Sequence, residues 1–267
     1  VVGAGILQLA AHLPPVRRCG FRFQPAWDWR EEKVRRILNL MLPSAIGMGV
    51  FQINTFMDSV LASLAADWAP AALSYAQLLV YLPQSLFATA LGTVLLPMFS
   101  KQAAQSDPEA IKRTFAGGIR LVLFAICPAA VGLIVLARPI VQLLFEGGQF
   151  DAASTTQTSR ALAFYALGLM TFSTYKVITP VFYALQDTRR PVRVAVGAML
   201  LNIPLNLLFI YTWPAGWNHA GIAMATVLCS LLNNAVLNWH LRRRLGPMGW
   251  GGIMPRAVAM AVAAVAM

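Results

Sequence analysis

The sequence predicts an all-α fold, a polytopic membrane helix bundle of about six complete and two truncated transmembrane helices. Three observations predict it. The 267 residues are 58% hydrophobic and only 12% charged, with a mean hydropathy of +0.63, whereas a soluble domain carries about a quarter charged residues. Apolar runs recur that reach the roughly 20 residues a helix needs to cross the hydrocarbon core. Lys and Arg gather in every second connection between those runs, as in a multi-pass protein whose basic loops stay cytoplasmic.

The first element is an apolar stretch over residues 1–13 (VVGAGILQLAAHL). It reads as the end of a truncated transmembrane helix, because it starts at Val1 without an initiator Met. Residues 14–36 form a basic connection carrying Arg17, Arg18, Arg22, Arg30, Lys33, Arg35 and Arg36. Six spans occupy 37–244: Ile37–Ala66, Ala71–Ser100, Phe115–Leu136, Thr156–Leu185, Val192–Trp213 and Ala220–His240. Residues 245–267 are a loop and the start of a truncated helix near Ile253.

The later basic connections hold Lys101, Lys112 and Arg113, then Arg189, Arg190 and Arg193, and finally Arg242, Arg243 and Arg244. The alternate connections are nearly bare, with Arg138 in the one over 137–155. Prolines 43, 83, 97, 128, 180 and 204 lie in or near the spans; each removes a backbone donor, and together they predict bent helices around a cavity.

The net charge of +11 is topogenic, with attraction to anionic membrane lipids. No basic face is interleaved with aromatics, so nucleic acid is not an expected partner. The three cysteines are scattered and form no C-x-x-C pair. An embedded enzyme acting on polyprenyl phosphates needs clustered acids at a membrane face. Only ten acidic residues exist, and no D-x-D pair occurs among them, so no covalent chemistry is expected.

Asp58 is the outstanding polar residue. It lies near the middle of an apolar span, where an ionisable group costs several kcal/mol (about 2.5–3.5 on insertion scales) unless it faces a partner, cavity or ion. A bland alternative is hydrogen bonding to Gln52, Asn54 or Ser59 as interhelical glue.

Three segments resemble the MurJ/MviN family of lipid II flippases, within the multidrug/oligosaccharidyl-lipid/polysaccharide exporter superfamily. They are Phe182–Val192 (FYALQDTRRPV), Leu144–Asp151 (LFEGGQFD) and Gly92–Ser100 (GTVLLPMFS). The resemblance runs from Leu7 to about Arg244. It implies that 37–244 are helices seven to twelve of a fourteen-helix, two-lobed transporter, that is, the C-terminal lobe, with the N-terminal lobe of the same chain as its partner. The implied activity is transfer of a polyprenyl-diphosphate-linked saccharide lipid, lipid II, across the bacterial cytoplasmic (inner) membrane by alternating access, driven by a cation or the membrane potential. Another polysaccharide-lipid or drug exporter of the superfamily is the alternative.

The resemblance also proposes sites. Some family members bind sodium at an acid in helix seven, with ligands from helices eleven and twelve. Asp58, Asn202, Asn206, Thr226 and the Ile222 carbonyl fit that role here, for Na⁺ or H⁺; no other cofactor is expected. Asn202 and Asn206 are one turn apart on one helix face, and oxygen ligands of this kind suit a hard cation. Lys176, Gln77, Tyr81 and Arg189 are the candidate substrate contacts. Lys176 meets the diphosphate or snorkels to the surface; Gln77 and Tyr81 line the cavity or make buried hydrogen bonds; Arg189 recruits the head group or is topogenic. One departure stands out in Tyr75–Pro83 (YAQLLVYLP). Leu78 occupies the place of a family arginine, and it offers no charged fork to a phosphate.

Overall fold

The computed structural model describes residues 32–214 and 216–247, and beyond them only positions 3, 5, 10 and 14. The predicted truncated helices (1–13 and from Ile253) and most of the basic connection 14–36 therefore lie outside the described residues. The chain divides into two compact units, Val1–Met41 and Leu42–Met267, and every candidate site residue belongs to the second.

Each predicted span is a helix. They are α1 (Glu32–Ala65), α2 (Ala69–Pro83) continuing through a π-helical turn (Gln84–Thr89) into α3 (Ala90–Ala104), α4 (Pro108–Val135), α6 (Ala152–Ala184), α7 (Arg189–Thr212) and α8 (Asn218–Leu245). Five spans among the described residues, Ala69–Ala104 and those of α4, α6, α7 and α8, are long and apolar enough to cross a membrane. This is a multi-pass all-α membrane protein. The connection read as a loop over 137–155 holds a further short helix, α5 (Ala137–Phe145).

Local chemistry sets the ends. Asp107 caps α4, accepting from the Ala110 N–H at 2.9 Å, with Pro108 in the first turn. Asp151 caps α6 by accepting from the Ser154 N–H at 2.8 Å, a bond that holds its carboxyl below the usual carboxylate range. Pro83 supplies no N–H, and the chain passes there into the wider π turn. The helices continue through Pro97, Pro128, Pro180 and Pro204.

α6 is the central post, packed against α2, α3, α4, α5 and α8, while α7 packs chiefly on α8. Phe99, Phe115, Tyr165 and Phe182 fill the core around it. Lipid tails are as apolar as leucine, so close packing and polar pins hold such helices together. A Cβ on Gly168 of α6 would lie 2.5 Å from Val227 Cγ2, so only glycine lets α8 approach so near. The Asn234 amide adds a pin, donating to the Thr171 carbonyl at 2.6 Å and to Thr174 Oγ1 at 3.0 Å.

The three later basic connections share one end of this unit. Asp187, between α6 and α7, pairs with Arg244 of α8 at 3.4 Å, and Gly246 abuts the Lys112 ammonium of α4. The bare connections share the other. There His219 meets the Trp68 ring edge-on, Arg160 donates to the Gly216 carbonyl at 3.0 Å and covers the Trp217 ring, and Tyr75 of α2 meets Phe145 at a tilt and Phe150 edge-on.

Candidate functional site: a polar knot around Asp58

Most of the side chains described on α1 between Phe51 and Leu64 face outward, Phe51, Phe56 and Leu64 among them. Asp58 is the exception among its polar residues, at 3% exposure. Its carboxylate can only accept hydrogen bonds, and three donors reach it. Asn206 Nδ2 donates to Oδ1 at 2.7 Å, Thr226 Oγ1 to Oδ2 at 3.1 Å, and Asn54 Nδ2 to Oδ2 at 3.3 Å. The first comes from α7, the second from α8 and the third from the preceding turn of α1.

The network extends one step outward. Asn206 Nδ2 spends its second proton on Asn202 Oδ1 at 2.8 Å, the pair being one turn apart as their spacing requires. Thr226 Oγ1 also stands 3.1 Å from the Ile222 carbonyl. A hydroxyl has one proton, so it serves either Asp58 or Ile222 at a given moment. All five predicted cation-site groups thus meet in one buried network that ties together α1, α7 and α8.

The donor set was tested against a hard cation on its unpaired atoms. Asn206 is fully buried, and its Oδ1 has no hydrogen-bond partner. Other buried amide oxygens are unpaired too, those of Asn218, Asn234 and Asn238 among them; Asn206 Oδ1 differs in belonging to the amide that meets the carboxylate. Asp58 Oδ1 and Oδ2, Asn202 Oδ1, Thr226 Oγ1 and the Ile222 carbonyl give five oxygens with one formal negative charge, while Asn206 turns its NH₂ group to the carboxylate. That fits a hard monovalent cation. No group of three or more His, Cys, Asp or Glu gathers among the described residues.

The four candidate substrate residues are not brought together. Gln77 is half-buried and donates to the Tyr165 hydroxyl at 2.9 Å. Tyr81, on the same helix, is 42% exposed and lies within electrostatic range of Asp58. The Lys176 side chain is exposed on α6 and that of Arg189 is exposed at the start of α7. Among the described residues no hydrogen bond joins Lys176 or Arg189 to Gln77 or Tyr81. Leu78 is 58% exposed, on the same outward side of α2 as Tyr75 and Leu82. Near Arg189, Asp187 accepts from the Arg190 N–H at 3.3 Å and pairs with its guanidinium at 3.0 Å, which helps to close the start of α7.

Two buried polar residues that join helices carry no clear mark in the sequence. Tyr165 is buried and sits in an apolar stretch where no spacing marks it, and Asn234 pins α8 to α6 from 60 positions away. Their sequence signal is weak: single polar groups inside spans, with partners too distant in the chain for any periodicity.

Comparisons with known proteins add the family. The chain is 36% identical over 233 residues to a probable lipid II flippase MurJ of Vibrio cholerae, covering 87% of this chain and 44% of that one. It is 31% identical over 248 residues to the lipid II flippase MurJ of Burkholderia cenocepacia, covering 91% and 47%. The chain therefore spans a little under half the length of these curated relatives. Among solved structures it resembles a lipid II flippase MurJ in an inward closed conformation, with TM-score 0.68 and 24% identity over 90% of this chain and 54% of that one. A transporter of the MOP superfamily from Pyrococcus furiosus is similar in fold, with TM-score 0.66 at 18% identity over 86% of this chain and 52% of that one. The family model described as lipid II flippase MurJ matches residues 1–267, and the chain belongs to that family.

Proposed function

We propose that this chain forms the C-terminal, cation-binding lobe of a flippase that moves lipid II across the bacterial cytoplasmic membrane. The observation that carries the reading is the Asp58 knot: a carboxylate buried within a span, met by groups from two other helices. Burying a charge in a bilayer is expensive, and such residues mark ion pathways or relays. Na⁺ or H⁺ is the coupling ion, held by Asp58, Asn202, Asn206, Thr226 and the Ile222 carbonyl. When bound it supplies positive charge to a site whose protein groups sum to one negative charge.

The chain's own residues do the rest. Asp58 ties α1 to α7 and α8, so a change at the knot alters how α1 sits on the lobe. The end bearing Arg189, Arg190 and Arg242–Arg244 is cytoplasmic by the positive-inside rule. The lobe works with an N-terminal lobe by alternating access, the polar head group crossing between them while the polyprenyl tail stays in lipid. Tyr81 and Gln77 lie beside the exposed surface of α2; Lys176 offers a point charge to the diphosphate, and Arg189 receives it at the cytoplasmic mouth.

A second reading is favoured by one residue. Leu78 is exposed where the family resemblance expects an arginine, so another lipid-linked saccharide or a drug is the competing cargo. In proteoliposomes containing the purified protein, head-group exposure of lipid II to an impermeant reagent tests the assignment. Transfer of lipid II, competed only by polyprenyl-diphosphate saccharides, is expected; no transfer, or competition by unrelated amphiphilic drugs, overturns it.

A further inference from the structure

We propose that the Asn206 amide is a self-capping switch, its NH₂ group standing in the place a cation takes between Asp58 and Asn202. This rests on the cation-site reading above. Nδ2 bridges Asp58 Oδ1 at 2.7 Å and Asn202 Oδ1 at 2.8 Å, using both its protons. One small positive group between two oxygens from different helices is the arrangement a hard cation would also satisfy.

The other end of the same amide is buried and unpaired at Oδ1. Nitrogen and oxygen exchange places by a half turn about the Cβ–Cγ bond, a broad and soft torsion that needs no backbone movement. That half turn removes the donor from the carboxylate and presents a sixth oxygen. Thr226 adjusts in the same way, because its single proton can pass from Asp58 to the Ile222 carbonyl 3.1 Å away. With NH₂ inward, Asp58 is satisfied by protein donors and α1 is tied to α7 without an ion. With Oδ1 inward, the facing oxygens repel one another unless a cation sits among them.

Asn206 therefore sets the affinity. A cation has to displace two hydrogen bonds to enter, which keeps its binding weak and its release easy. Aspartate at 206 has no proton to donate when ionised and cannot cap.

The test uses the purified protein in detergent, labelled with ¹⁵N-asparagine and titrated with NaCl against KCl and choline chloride at equal ionic strength. The Asn206 amide resonances are identified by their loss in Asn206→Asp, or in Asn206→Ala if the aspartate variant does not accumulate. The expected result is that the Asn206 NH₂ pair shifts with Na⁺ at the same midpoint as the Na⁺-dependent rise in Tm. In Asn206→Asp that midpoint falls by at least about tenfold, because the variant loses the competing hydrogen bond and also adds a carboxylate. An amide pair that stays still while Na⁺ raises Tm overturns the switch alone, as does an unchanged or higher midpoint in Asn206→Asp. If Na⁺ fails to raise the Tm of the unmutated protein above choline, the cation site itself is wrong and the switch falls with it.

Discussion

The backbone carbonyl of Lys176 lies 2.8 Å from where a Cβ on Gly92 would stand. The contact has a cause in the sequence. Pro180, four residues after Lys176, has no N–H to give that carbonyl, and α3 crosses at the exposed oxygen on a glycine. Gly92→Ala pushes backbone against backbone, where no rotamer change relieves it. It should destabilise the protein by about 1–3 kcal/mol, measured as a lowered Tm in detergent. Gly117→Ala, with nothing within 4 Å of the new methyl, should be neutral or stabilising.

The Lys176 side chain is a separate matter from its carbonyl. Because it is exposed, its replacement should leave Tm almost unchanged, within about 0.5 kcal/mol. Its role can therefore be read from growth of cells depleted of their own flippase. Lys176→Ala should fail to support growth and Lys176→Arg should succeed; full growth with both assigns this lysine no part in transport.

Tyr165→Phe removes the acceptor of the Gln77 amide and nothing else. The loss should be about 1 kcal/mol, the usual net value of such a bond or slightly more when a donor is left buried. Gln77→Leu in the same background should add little further, since the two residues share one bond. A double-mutant cycle on Tm reads this directly, and additive effects would show that the pair is not coupled.

Much of this was legible in the chain. Asp58 stands out because a carboxylate interrupts an apolar run, and Asn202 and Asn206 because four-residue spacing puts them on one helix face. Five of the six predicted spans were legible because hydropathy reports burial in lipid directly; the sixth, α1, is a helix but is not among them. α5 was not, since nine residues with one arginine and one proline look like the loop around them. α1 also starts at Glu32, before the predicted Ile37; Lys and Arg are good helix formers, so a basic connection does not mark a helix end. The Gln77–Tyr165 bond spans 88 positions, and no local pattern announces a partner that far away.

At the basic end, Asp187 meets both Arg190 and Arg244. These pairs are partly open to solvent, and such pairs contribute from about zero to 1 kcal/mol each. Asp187→Asn should therefore lower Tm slightly at low ionic strength, and the difference should vanish as salt shortens the range of the interaction. A difference that persists in high salt would mean that charge pairing is not its source, since asparagine keeps the oxygen that caps the helix.

In the proposed function the Asp58 carboxylate links a cation gradient to movement of the lobe. The direct measurement is lipid II transfer in proteoliposomes with and without an imposed Na⁺ or H⁺ gradient, for the unmutated protein and for Asp58→Asn. A gradient should accelerate transfer only when the carboxylate is present. Equal acceleration in Asp58→Asn, or no response to either gradient in the unmutated protein, contradicts it.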